Sequence, residues 1–356
     1  MLLVLLLPGA CYSLCSYSRR LSSLPQDSAD AVQYGFDGVK FDSQAGGPSR
    51  NITRWAVALA KASAAAGKEV GMLIENCDDK NPTYLLDDPA DCPWNHYRTG
   101  PDNSPSFFGG FYHLWHWATP YLAVKKPMPA SRPGCYAYPD QLGIGGPVKG
   151  TVGYAQARAA GCANMTLDEE RALFAAWAIV SSPLVLGFDT RDDAVVAKYW
   201  PIVANEHALS INSAWAGHPG MLLKQSPRMT ANHSVPDGAR CETTLHNDKK
   251  AQLPLWLAYV KPLPKGEVAA LIINLGERAG FPATISLQEI LSVRPSSDDE
   301  SEQAKSFAVT DVWTSSQDAP AVSAANPWAP GVSAHNSSFV VFTPLKADGW
   351  KGAEVP

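Results

Sequence analysis

The sequence predicts an α/β chain: a parallel sheet covered by helices, followed by an all-β sandwich. Two observations carry that prediction. Over roughly the first 200 residues, short strand-like apolar runs alternate with helical ones, the order that builds parallel sheets. After about Trp215 strand-like runs follow one another with no helical pattern between them. Residues 1–215 are therefore expected to form the mixed domain and residues 216–356 the antiparallel one, which suits 356 residues at roughly 150 per domain.

The elements follow in order. Residues 38–42 (Gly-Val-Lys-Phe-Asp) read as a strand. Residues 52–65 read as a helix, with Ile52, Trp55 and Leu59 on one face and Gly67 as a stop. Residues 69–74 are a buried-strand candidate, 96–99 another before the Gly100-Pro101 turn, and 135–138 a fourth. Thr166 and Glu169 match a capping box, in which each side chain satisfies an exposed amide of the first helical turn. Leu173, Trp177 and Val180 give that helix its apolar face, and residues 183–187 read as a fifth strand. In the tail, residues 255–260, 268–273, 307–313 and 338–343 are strands, the first two joined through a proline- and glycine-rich connection at 262–266. The acidic run 296–302 is a solvated loop.

Composition narrows the function. Hydrophobic residues make up 46% and charged residues 18%, a globular balance. A formal charge of -5, from 29 basic and 34 acidic residues, argues against nucleic-acid binding, which needs clustered basic excess. No internal run reaches the roughly 20 apolar residues of a membrane span. The opening MLLVLLLPGA fits a cleaved signal that lacks its positive n-region or a buried strand, with a membrane anchor as the third reading. The 7 cysteines form an odd set, and no spacing fits zinc. Sequons at Asn51, Asn164, Asn232 and Asn336, together with the cysteines, point to the secretory pathway, with a secreted or vacuolar/lysosomal destination.

The chemistry gathers on aspartates. Side chains alternate along a strand, so Lys40 and Asp42 are expected on one face, where the lysine would hold the aspartate ionised. A charged pair on an apolar strand is costly to bury. Asp102 follows the strand that carries Arg98, and Asp140 follows the one at 135–138. Three aspartates at the C-terminal ends of different parallel strands stand where barrel enzymes place their chemistry. Two carboxylates about 5–5.5 Å apart would serve a retaining glycosidase, one attacking the anomeric carbon and one protonating the leaving oxygen. Trp94, Tyr97, Tyr136 and Tyr138 fit a sugar's apolar face and fit an ordinary core equally well. His113 and His116 share a helix face without further ligands nearby, the pattern of packing rather than of a metal site.

The run from Tyr34 to Asp42, then Ile74-Glu-Asn-Cys77, then Cys92-Pro-Trp-Asn-His-Tyr-Arg-Thr-Gly-Pro-Asp102, resembles glycoside hydrolase family 27, the α-galactosidase and α-N-acetylgalactosaminidase family. The order continues through Pro133-Gly-Cys-Tyr-Ala-Tyr-Pro-Asp140-Gln-Leu and residues 173–189. The resemblance spans about residues 30–211 and, more loosely, the tail. It implies a (β/α)8 TIM barrel, incomplete at its N-terminus because only five of eight strands are found, and a C-terminal sandwich. It implies a retaining exo-hydrolase of terminal α-linked galactose with Asp42 as nucleophile and Asp102 as acid/base. Lys40, Arg98 and Asp140 fall on sugar-contacting positions, and Cys77 and Asp78 open a loop expected to touch the sugar and to decide between galactose and its N-acetylamino form. A Cys77–Cys92 bridge is expected. No cofactor or metal is implied; the expected partners are an α-galactoside and a second copy of the chain. The alternative is an inactive or truncated carbohydrate-binding relative. The sequence departs from the family where Ser43 and Gln44 follow the nucleophile position and where Asn103-Ser-Pro follows Asp102.

Overall fold

The computed structural model describes residues 24–42, 51–68, 71–77, 92–100, 107–123, 128–145, 165–229, 252–280, 283–294 and 304–345. Asp78, Asp102, Ser43, Gln44, the opening segment, the acidic run and the sequons at Asn164 and Asn232 lie outside them. The chain divides into two compact units, one of residues 1–102 and 130–140 and one of residues 103–129 and 141–356.

Among the described residues, the first unit is a parallel sheet with one helix before its first strand and one between its first two. It runs α1 (Leu24–Gln33), β1 (Gly38–Asp42), α2 (Ile52–Ala65), β2 (Leu73–Cys77), β3 (His96–Arg98) and β4 (Tyr136–Tyr138). The strands lie in sequence order β1-β2-β3-β4 and all pair in parallel. Helix α2 has the expected bounds. Asn51 caps it by accepting from the Arg54 amide, and Ile52 and Leu59 bury its inner face. Trp55 reaches Phe41 of β1 at 5.1 Å between ring centroids. Strand β2 begins at Leu73 rather than at 69, because Gly38 at the start of β1 pairs with Leu73. The shift brings Glu75 and Cys77 into the strand.

The cysteine pairing also differs from expectation. Cys92 is bonded to Cys135, with 6.1 Å between their Cα atoms, and Cys77 is free and buried. The topology explains why. Cys92 and Cys135 precede the parallel neighbours β3 and β4 and so meet at one edge of the sheet, whereas Cys77 ends β2 at the opposite edge.

The second unit contains α3 (Phe107–Tyr112), a π-helical turn (His113–Ala118), α4 (Thr119–Leu122), α5 (Leu167–Ile179), α6 (Asp193–Val203) and α7 (Glu206–Ser213). Its strands are β5 (Met221–Gln225), β6 (Trp256–Pro262), β7 (Val268–Asn274), β8 (Ser306–Asp311), β9 (Val322–Ser323) and β10 (Ser337–Pro344), with α8 (Leu287–Val293) between β7 and β8. Helix α5 starts at the expected capping box, which is fully formed between Thr166 and Glu169. It is buried on every side from Ala172 to Ile179, so it is a core helix rather than a one-faced one. The strands form one six-stranded antiparallel sheet in the order β5-β6-β7-β10-β8-β9. Both faces are covered. Along β7, Ala269, Leu271 and Ile273 join the α5 core, and Val268, Ala270 and Ile272 join a second core with Ile290 of α8 and Trp328.

Two further expectations are corrected. Residues 183–187 form no strand; Leu186 makes a single bridge to Leu142. The tail is not free of helices, since α8 opens with a second capping box, Ser286 and Glu289, that the strand-rich texture concealed.

Candidate active site

The first unit's sheet carries charged side chains that burial would normally exclude. The parallel register explains their meeting. Lys40 pairs with Glu75, Glu75 with His96, and His96 with Tyr136, one row across four strands. Two residues further along, the Asp42 backbone pairs with Cys77, and Arg98 pairs with Tyr138. Neighbours in parallel strands project to the same side, so each row gathers side chains from separate stretches of sequence.

Glu75 is the centre. Its Oε1 lies 3.0 Å from the Lys40 Nζ and accepts from the Tyr138 hydroxyl, and its Oε2 lies 3.7 Å from His96 Nε2. Burial alone would raise its carboxyl. The adjacent His96, Lys40 and Tyr138 draw it well below the usual carboxylate range, so it is ionised. Burial would likewise pull the Lys40 ammonium down, but attraction from Glu75, with a smaller contribution from Asp140, raises it above its ordinary value. Burial and the facing Glu75 push the Tyr138 phenol well up, so it keeps its proton and donates.

The second pair is Arg98 and Asp140. The guanidinium Nη1 donates to Asp140 Oδ2 at 3.3 Å, with side chains only 4% and 9% exposed. Asp140 has φ of +93°, a conformation that costs a non-glycine residue on the order of 1–3 kcal/mol and persists only where its surroundings enforce it. Here the Arg98 contact and the tie between β3 and β4, where the Thr99 amide donates to the Tyr138 carbonyl at 3.1 Å, hold the turn. Cys77 lies among these charges with its thiol pushed up to about 12 by burial, so it is neutral.

Of the residues singled out in the sequence, Lys40, Arg98, Asp140 and Cys77 therefore lie on three neighbouring strands and the turn after the fourth. The backbone of Asp42 closes β1 in register with Cys77. Asp102 and Asp78 lie outside the described residues. The sequence reasoning missed Glu75, His96 and Tyr138 as members of one network. The available signal was the motif Ile74-Glu-Asn-Cys77 itself, whose glutamate falls beside Lys40 once β2 is registered on β1. Among the described residues no group of three or more His, Cys, Asp or Glu side chains could hold a metal ion. His116 stacks on Tyr112 at 5.0 Å and 12°, and His113 is buried in the π-helical turn, as packing residues.

A comparison with protein-family models finds no match, and neither does one with curated proteins. Solved structures do match. The chain is similar to a GH27 β-L-arabinopyranosidase from Geobacillus stearothermophilus, with TM-score 0.62 and 16% identity over 92% of this chain and 62% of that one. It is also similar to an α-galactosidase from Saccharomyces cerevisiae, with TM-score 0.60 and 16% identity over 91% of this chain and 76% of that one. A third match is α-galactosidase I from Mortierella vinacea, with TM-score 0.56 and 16% identity over 91% and 72%. The chain has the fold of these glycosidases. It spans 62% of the length of the bacterial arabinopyranosidase.

Proposed function

We propose that this chain acts as a retaining glycoside hydrolase on terminal α-linked galactose, with Asp42 as nucleophile and Asp102 as acid/base. The observation that carries the reading is the set of buried charges on adjacent parallel strands, Lys40 and Glu75 within two of them, Arg98 at the end of the third and Asp140 just past the fourth, with Asp42 closing β1 two residues after Lys40. Strand ends of this kind are where α/β enzymes place polar chemistry. Lysine, arginine and aspartate supply donors and acceptors in fixed directions, as recognition of a sugar's hydroxyl groups requires.

In the proposed mechanism the Asp42 carboxylate attacks the anomeric carbon while the Asp102 carboxylic acid protonates the departing oxygen. Water, deprotonated by Asp102, then releases the sugar with retained configuration. Lys40, Arg98 and Asp140 bind and orient the sugar, and the neutral Cys77 packs beside them without adding charge. Asp78, Cys77 and the loop they begin bear on the choice between galactose and N-acetylgalactosamine. Secretion or delivery to a vacuole or lysosome, and pairing of two copies, belong to the same proposal.

The test is covalent. A 2-deoxy-2-fluoro galactosyl donor should trap a glycosyl ester that peptide mass spectrometry places on Asp42, and Asp42→Asn should abolish turnover of an aryl α-galactoside. Galactose binding with neither label nor turnover would replace this proposal with the carbohydrate-binding one.

A further inference from the structure

Glu75 stands apart from the residues given roles above. It is 4% exposed, touches side chains from β1, β3 and β4, and has no spare charge to offer a substrate. A buried carboxylate with that many partners is either a structural knot or a device that sets the state of a neighbour. The neighbour that matters is Lys40, whose other surroundings give it less. Facing Lys40 are Glu75 and Cys77 of β2, His96 and Arg98 of β3, Tyr138 of β4 and Asp140 beyond it, with Asp42 next but one along β1. Cys77 and Tyr138 are neutral, Arg98 repels an ammonium, and Asp140 is already engaged by Arg98. Among the described side chains, Glu75 is thus the anion in direct contact with the Lys40 ammonium.

We infer that Glu75 is a positioning residue of the candidate site: it fixes the Lys40 ammonium in place and in its charged form, ready for a sugar hydroxyl, while the Tyr138 hydroxyl braces Glu75 from the other side. The inference rests on the proposed function for its consequence, sugar binding, but its physical core concerns this chain's own side chains. The arrangement is suited to the task because a buried ammonium alone would shed its proton more easily. A carboxylate already ionised and held by a phenol keeps the ammonium charged without reorganising when substrate arrives.

The experiment uses the full chain and two readouts. In substrate-free protein, lysines are reductively methylated with ¹³C-formaldehyde and Lys40, assigned through Lys40→Arg, is titrated by NMR. The wild-type signal should stay in its charged position beyond pH 11. In Glu75→Gln its titration midpoint should fall by about 1–3 pH units, as expected when an opposite charge in contact is removed. In kinetics on an aryl α-galactoside, Glu75→Gln should raise KM about tenfold, the share of one hydrogen bond to a charged group, with kcat nearly unchanged. Glu75→Asp, which keeps the charge, should recover most of both effects and stands in should the glutamine variant fail to fold. An unmoved Lys40 titration in Glu75→Gln overturns the inference, as does a loss of activity that Glu75→Asp fails to relieve. A wild-type chain that turns over no glycoside sinks the proposed function, while the Lys40 titration still decides the role of Glu75.

Discussion

The two sheets of this chain bury charge in opposite ways. In the parallel sheet of β1 to β4, Lys40 meets Glu75 and Arg98 meets Asp140, each cation against an anion. In the antiparallel sheet β7 is apolar for six residues running, and the buried cation of its neighbour β6, Lys261, is held by neutral oxygens. The Lys261 Nζ donates to Ser181 Oγ at 2.7 Å, to the Asn212 carbonyl at 3.1 Å and to the Ile211 carbonyl. The first arrangement runs from the middle of β1 and β2 to the C-terminal ends of β3 and β4, with each charge met by its opposite. The second spends all three donors of one ammonium inside the fold, stitching β6 to the end of α7 and to the turn after α5. Buried charge by itself therefore says little about function; what distinguishes the candidate site is the pairing of opposite charges across neighbouring parallel strands.

The sharpest way to break the contrast is to remove one charge from the parallel sheet. Arg98→Met leaves Asp140 buried without its guanidinium partner, and urea unfolding should show a loss of about 3–5 kcal/mol. Adding Asp140→Asn should restore part of that loss, because the deficit comes from an uncompensated charge and the two positions are in contact. Equal losses in the single and double variants would mean that the pair matters only as packing.

The disulfide gives the next largest effect. Cys92 and Cys135 are 43 residues apart in sequence, and replacing both by Ser should destabilise the first unit by about 2–4 kcal/mol. Thermal unfolding with and without reductant measures it, and the double variant should be indifferent to reductant.

Much of this organisation was legible in the sequence. The bounds of β1 and α2 followed from apolar periodicity and a glycine stop, and the start of α5 from the capping pair Thr166 and Glu169. Lys40 was singled out as a charge on an otherwise apolar strand and Asp140 as an aspartate just past a strand end, and the family resemblance put both, with Arg98, on sugar-contacting positions. What could not be read was anything that depends on register. Residues 69–74 looked like the buried strand because all but Glu69 are apolar or glycine, but pairing with Gly38 starts the strand at Leu73. That shift of a few residues turned Glu75 from an end residue into the centre of a network. The same cause hid the disulfide, since which strand ends adjoin is a property of the sheet. Lys261 and its three acceptors escaped because two of those acceptors are backbone carbonyls, which leave no mark in sequence.

Lys261 sharpens the comparison through pH. Burial pulls its ammonium down to about 7, from an ordinary 10.5. The unfolded chain then binds more protons than the folded one between those values, so folding stability should rise with pH across that window. The rise should amount to a few kcal/mol, at about 1.4 kcal/mol for each pH unit of that window. Stability curves for wild type and Lys261→Met, subtracted from each other, isolate it, and the variant should be flat where the wild type climbs.

The smallest effect has the opposite sign. His335 places Nδ1 at 3.2 Å from Glu169 Oε1 and Nε2 at 3.3 Å from Glu277 Oε1. The Glu169 contact leads in raising its imidazole above the ordinary 6.5. A raised folded value means that the contribution is complete below pH 6.5 and disappears as pH climbs through the raised value. Glu277 is largely exposed and Glu169 partly so, which holds the gain to less than about 1 kcal/mol. His335→Gln should therefore lower stability slightly at pH 6 and leave it unchanged at pH 9. The start of α5 should survive in either state, because Glu169 Oε2 continues to accept from the Thr166 amide at 2.7 Å while only Oε1 faces the imidazole. A variant that loses helix content at both pH values would instead make His335 part of the cap.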